Sequence, residues 1–189
     1  MVQTPTRQIT LKEFLDLPDT KPASEYIDGQ IIQKPMPQGQ HSVIQGELLV
    51  ELTLAWRGKG IAQAFPELRC TFGGRAIVPD VAIFEDARIP YDENGDIENV
   101  FSIPPDWTIE ILSPEQRTTK VLKNISHCLA YGTQMGWLID PTDRSVFIIG
   151  TSQTFQMIDE PTTMLPVPAF AKSIELTVGQ LFSWIQKKN

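Results

Sequence analysis

Residues 107–120, "WTIEILSPEQRTTK", read as a strand followed at once by a helix. Trp107 to Leu112 is aromatic, β-branched and aliphatic, the composition of a buried strand. Glu110 stands in the middle of it, where a carboxylate is costly unless something pairs with it. Ser113-Pro114-Glu115-Gln116 has the form of a capping box, and residues 117–131 continue at helical spacing. Val121, Leu122, Ile125, Cys128 and Leu129 form the expected buried stripe, with Lys120, Lys123, Asn124, His127 and Tyr131 outside it or at its edges. "MGWLIDP", residues 135–141, is the next strand. Strand, helix and strand in this order make a βαβ step, and the fold class follows from it: mixed α/β.

Working outward, residues 62–85, "AQAFPELRCTFGGRAIVPDVAIFE", read as two strands turning at Gly73-Gly74. "SEYIDGQIIQKP", residues 24–35, is a hairpin around Asp28-Gly29. Between them, His41 to about Trp56 carries apolar residues at roughly helical spacing. Thr10 with Glu13, and Thr177 with Gln180, are capping boxes opening a first helix, "TLKEFLDL", and a last one, "VGQLFSWIQKK". After 141 come two further strands, "SVFIIG" and "QTFQMI". The expected order is α, β-hairpin, α, three β, α, three β, α, a mixed sheet flanked by helices within one domain spanning 1–189.

The acids need more care. Of three Pro-Asp pairs, Pro18-Asp19 ends a helix, Pro79-Asp80 lies inside an apolar strand, and Pro105-Asp106 opens the Glu110 strand. Asp106 and Glu110 share a face, but at ~3.3 Å per residue they stand roughly 13 Å apart, too far for one ion. Asp80, on another strand, is the better partner for Glu110. A two-residue turn at Gly73-Gly74 pairs Phe72 with Arg75, and counting outward sets Glu67 opposite Asp80. Like charges directly opposed destabilise a sheet, and a hard cation would turn that repulsion into ligation. Asp80, Glu110 and Glu67 are therefore candidate ligands for Mg²⁺ or Mn²⁺. Each also has an ordinary structural explanation, as a hydrogen-bonded strand edge or a solvated face.

Composition narrows the classes. Apolar content of 41% and charged content of 21% belong to a globular chain with a core. Two cysteines and two histidines supply neither a disulfide framework nor a zinc spacing, so a cytoplasmic location is expected. No signal-peptide pattern and no apolar run of about 18 residues is present, so no membrane partner is expected. The net charge of −7 is concentrated: residues 85–98 hold six acids and one base, five of those seven charges. That loop does not forbid a basic surface elsewhere, and does not supply one.

At "VPDVAIF", "WTIEILSPEQ" and the following lysine-bearing helix, the chain resembles the PD-(D/E)XK superfamily of restriction-endonuclease-like phosphodiesterases. More closely it resembles the bacterial Uma-type family, a domain of unknown function with endonuclease-like features. "SEYIDGQIIQKPMPQGQHSVI" and "GTQMGWLIDP" extend the likeness over most of the chain. The resemblance implies an αβββαβ core with an added N-terminal hairpin, and a Mg²⁺-dependent site with Asp80 and Glu110 as ligands. Leu112 stands two residues after Glu110, where the superfamily pattern has lysine. The resemblance moves that lysine to the next helix, with Lys120 the candidate for a catalytic role and Lys123 the fallback, since Asn124 occupies the position many relatives use. His41, Arg69, Gln116 and Lys123 are candidate substrate contacts, and Glu47 or Gln45 could reach the metal. The implied function is a metal-dependent endonuclease acting on nucleic acid, DNA first, as a homodimer. A non-catalytic binding or interaction module on the same fold is the alternative, and an RNA nuclease a third reading.

Overall fold

The computed structural model describes residues 9–114, 116–151 and 154–187. The elements in chain order are α1 Leu11–Leu15, β1 Ser24–Ile27, β2 Gln30–Gln33, α2 Gly39–Trp56, β3 Ala62–Pro66, β4 Cys70–Phe72 and β5 Arg75–Ile77. They continue with β6 Val81–Glu85, β7 Trp107–Ile111, α3 Thr118–Ala130, β8 Met135–Asp140, β9 Ser145–Gly150, β10 Phe155–Ile158 and α4 Val178–Ser183. Both capping boxes form, on Thr10 with Glu13 and on Thr177 with Gln180. The last helix stops at Ser183, short of the stretch expected from sequence. Gln153, Lys188 and Glu115, each part of a sequence expectation, lie outside the described residues.

Six strands form the main sheet in the order β10-β9-β8-β7-β6-β3, and four form a second in the order β2-β1-β5-β4. The step β7–α3–β8 makes the parallel pair of the main sheet, with Trp107 opposite Met135 and Ile111 opposite Ile139. Reading α2, β3, β6, β7, α3 and β8 in sequence gives the αβββαβ order.

The hairpin at Gly73-Gly74 is where sequence and structure part. Phe72 faces Arg75 and Cys70 faces Ile77 in the second sheet, while Pro66 faces Val81 and Ala62 faces Glu85 in the main one. The register is the same on both sides, so no residue is inserted. The ladder nonetheless breaks: Pro79 has no N–H to give, and Glu67 turns into the left-handed region with φ 46°. One hairpin thus serves two sheets, and the two strands expected from sequence become four. Asp80 stands at the break, immediately before β6 rather than inside a strand.

The main sheet is covered on both faces. Ile44, Leu48, Leu52 and Trp56 of α2 pack on Val81, Ile83, Trp107, Ile109 and Ile111. Val121 and Ile125 of α3 pack on Leu112 and Leu138 on the opposite face. Alternation along β7 sends Trp107, Ile109 and Ile111 to the α2 side, which leaves Thr108, Glu110 and Leu112 for the α3 side. Gly136 of β8 lets α3 approach, since a Cβ there would stand 2.2 Å from Ile125 Cγ2. Among the described residues no helix is long and apolar enough to cross a membrane.

Candidate active site

Asp80 and Glu110 come together where β6 starts and the antiparallel β7 ends. Val81 pairs with Ile109, so Asp80 is one step further along, level with Glu110. Both side chains are buried, 3% and 5% exposed. The residue between them is Lys34, at the end of the β1–β2 hairpin. Its Nζ donates to Asp80 Oδ1 at 2.7 Å, to the Val78 carbonyl at 2.7 Å and to Glu110 Oε2 at 3.3 Å. The lysine side chain is itself only 12% exposed.

Asp80 is held from every side. Its Oδ2 accepts from the Ile111 N–H at 2.7 Å and lies 3.1 Å from His41 Nε2. Its carbonyl accepts from Gln45 Nε2 at 2.8 Å and from the Glu67 N–H at 3.3 Å. With Oδ2 occupied in this way, Oδ1 is the oxygen left to face a cation. The other nitrogen of His41, Nδ1, is buried and has no hydrogen-bond partner among the described residues.

A third buried carboxylate, Glu25 of β1, stands behind the lysine. It accepts from the Val78 N–H at 2.9 Å and from Asn124 Nδ2 at 3.1 and 3.3 Å. Burial pushes Glu110 well above the ordinary carboxylate value; Lys34 opposes this, while the charges of Asp80 and Glu25 reinforce it. Burial works on Asp80 in the same direction, but Lys34 and His41 outweigh it and hold that carboxyl below its usual value. Burial also raises Glu25, against the pull of Lys34. For Lys34, desolvation favours the neutral amine, yet Glu110, Asp80 and Glu25 together hold it above its ordinary value, so it is an ammonium. Two carboxyls side by side are thereby shifted in opposite directions, Asp80 down and Glu110 up.

The site opens to solvent through a cleft of about 770 Å³ whose walls include Lys34, His41, Glu67, Arg69, Asp80, Ser113 and Gln116. Residues 11–179 match the Uma2 family, described as "Putative restriction endonuclease". The chain belongs to the Uma2 family. It is 57% identical to the chain in a crystal structure described as "a putative nuclease belonging to DUF820 from Anabaena variabilis", with a TM-score of 0.93, covering 94% of this chain and 99% of that one. No curated protein matches.

Within this Uma2 chain the other sequence candidates take different places. Lys120 is not brought to the carboxylates: it is exposed on α3, and Lys123 is exposed beside it. Lys34, at the end of the hairpin whose β1 pairs with β5, is the lysine that reaches both carboxylates. Glu67 keeps its register opposite Asp80, but its left-handed backbone leaves the side chain exposed on the cleft wall. Among the described residues no three His, Cys, Asp or Glu side chains converge closely enough to hold a metal ion. Glu47 is exposed on α2, away from the cleft-lining residues. Arg69 pairs with Asp19 at 2.7 Å and lies over the Phe14 ring. Arg75 grips Asp28 through two bonds of 3.0 and 2.8 Å. Gln116 accepts from the Ser113 N–H at 3.1 Å and lines the cleft, but the expected capping box does not cap α3, whose N-cap is Arg117 with no side-chain cap bond. His127, expected on the exposed side of its helix, is half-buried and stacked on Phe72 at 5.0 Å. Asp106 lies at the far end of β7, paired with Arg88 and accepting from the Glu85 N–H.

Sequence reasoning missed Lys34, Glu25 and the role of Asn124. A signal for Glu25 was present, since period-2 alternation puts it on the same face as Ile27. For Lys34 the only signal was the unpaired demand of the two carboxylates elsewhere.

Proposed function

We propose that this chain is a divalent-metal-dependent endonuclease that hydrolyses phosphodiester bonds, with DNA as substrate. The observation that supports the reading best is the ammonium of Lys34 held by Asp80 Oδ1, Glu110 Oε2 and the Val78 carbonyl at the floor of a cleft. Three oxygens already converge on one positive centre, so the donor set suits a hard cation. Mg²⁺ typically takes one or two carboxylates and fills its remaining positions with water and substrate phosphate oxygens. Asp80 Oδ1 and Glu110 Oε2 would hold it. When bound, such an ion supplies Lewis-acid charge and an activated water for in-line attack.

The chain's own residues supply the rest. The Ile111 N–H and His41 fix Asp80 so that Oδ1 points one way. Lys34, an ammonium beside both carboxylates, would offer its positive charge to the phosphoryl oxygens, where charge develops. That is the role the family resemblance assigns to a lysine on the next helix. A homodimer belongs to this reading, since cutting both strands of a duplex wants two sites.

Calorimetric titration with Mn²⁺, followed by incubation with supercoiled plasmid, tests the reading. Binding and nicking, both abolished in Asp80→Ala, are expected. Neither in folded wild-type protein would overturn it, and salt-sensitive binding without cleavage would favour a non-catalytic module. Cleavage of RNA but not plasmid would keep the chemistry and change the substrate.

A further inference from the structure

The cleft over Asp80 and Glu110 has no surplus positive charge. Lys21, Lys34 and Arg69 on its walls are matched by Asp19, Glu67 and Asp80. A strand of nucleic acid lying there needs its phosphate charge met somewhere else.

A second concavity, of about 560 Å³, adjoins the first and shares Lys34, Pro35 and Gln116 with it. Its charged lining is Lys34, Arg75, Arg117, Lys120 and Lys123 against Glu25 and Asp28. Lys34 and Arg75 are engaged, by Asp80 with Glu110 and by Asp28 respectively. Arg117, Lys120 and Lys123 pair with no carboxylate among the described residues. Three like charges at three-residue spacing, Arg117 as N-cap and two lysines in the first turns of α3, repel one another, and no carboxylate among the described residues offsets that cost. A solvated helix face would scatter such charges on a convex surface. Here all three face one concavity, whose low-dielectric walls concentrate their field.

We propose that this groove at the start of α3 holds the phosphodiester backbone of the nucleic-acid substrate on one side of the bond to be cut. The strand passes from the cleft over Lys34, Pro35 and Gln116 to Arg117, Lys120 and Lys123, which make phosphate contacts and position the substrate without taking part in the chemistry. This rests on the nuclease reading of the adjoining site. The lysines expected from sequence near the catalytic centre thus belong to the same substrate path, one step removed.

The test is fluorescence anisotropy with a labelled 20-nucleotide DNA, its duplex and the matching RNA, in EDTA, between 50 and 200 mM KCl. The full chain is compared with Arg117→Ser/Lys120→Ser/Lys123→Ser, and with Lys12→Ser/Lys59→Ser/Lys172→Ser, which removes exposed lysines outside both cavities. Only the groove variant is expected to weaken binding, by about tenfold or more at 50 mM, with the log–log salt slope shallower by roughly two to three charges' worth. The nucleic acid that shows this difference is the substrate type. Equal losses in both variants, or no wild-type binding to any of the three, would overturn the groove. Groove-dependent binding with cleavage of neither plasmid nor RNA in Mn²⁺ would overturn the nuclease reading and keep the groove. Nicking by wild type with unchanged binding in the groove variant would do the reverse.

Discussion

Removing the Lys34 ammonium is the sharpest perturbation of this molecule. In Lys34→Met the stem is nearly retained, so the change is mainly the loss of charge. Asp80 Oδ1 and Glu110 Oε2 lose donors at 2.7 and 3.3 Å, and Glu25 loses its nearby counter-charge. Taking one partner from a buried ion pair costs about 3–5 kcal/mol, because the remaining charge stays desolvated. For a chain of this size that corresponds to a melting temperature lower by roughly 6–20 °C.

The loss should depend on pH, with a definite sign. Without Lys34 the folded-state pKa of Glu110 rises further and that of Asp80 loses its main depressing charge, so the folded variant binds more protons than folded wild type. Its stability therefore falls relative to wild type as pH climbs above the ordinary carboxylate range. Urea unfolding at pH 5 and pH 8 should show the larger difference at pH 8. Glu110→Gln added to Lys34→Met should recover part of the stability. A difference below about 1 kcal/mol at pH 8, the range of an exposed pair, would refute the placement of Lys34 between two buried carboxylates.

Other consequences follow from the same geometry. Gly136→Ala should destabilise by about 1–3 kcal/mol through overpacking against α3, with Ile125→Ala in the same chain relieving part of it; denaturant midpoints measure both. Asn124→Leu strips donors from the buried Glu25 carboxylate and should cost about 1–3 kcal/mol, whereas Lys123→Leu, one residue away and exposed, should cost little. Burial holds His127 below its ordinary value of 6.5, so the stability it contributes is full above pH 6.5 and is lost as pH falls through the lower folded-state value. Wild type should lose more stability than His127→Gln between pH 7 and pH 5. His41→Ala should weaken Mn²⁺ affinity without abolishing it, since Ile111 N–H still fixes Asp80, and calorimetry reads the change.

Much of this architecture is written in local patterns. Asp28-Gly29 and Gly73-Gly74 take positive φ at both turn positions, as two-residue hairpins demand, so the hairpins were readable from the dipeptides alone. The apolar stripe of residues 121–129 and the run of 107–112 marked helix and strand by period, and with residues 135–141 they carried the βαβ step. Glu110 stood out because a carboxylate in a buried strand is expensive, and Asp80 because proline and aspartate interrupt an otherwise apolar one.

What the sequence could not settle is which distant side chains meet. The second sheet depends on one pairing, Tyr26 with Ala76, which lays the first hairpin beside the split one. That pairing carries Lys34 across 46 positions to Asp80 and 76 to Glu110, and brings Glu25 to Asn124 across 99. Period and turn chemistry act over a few residues, whereas charge neutralisation of a buried carboxylate acts through space. The sequence by itself singled out Glu110 and Asp80 as acids poorly placed without a partner. Only the tertiary structure decided that Lys34 is that partner, and left Lys120 and Lys123 exposed along the groove beside it.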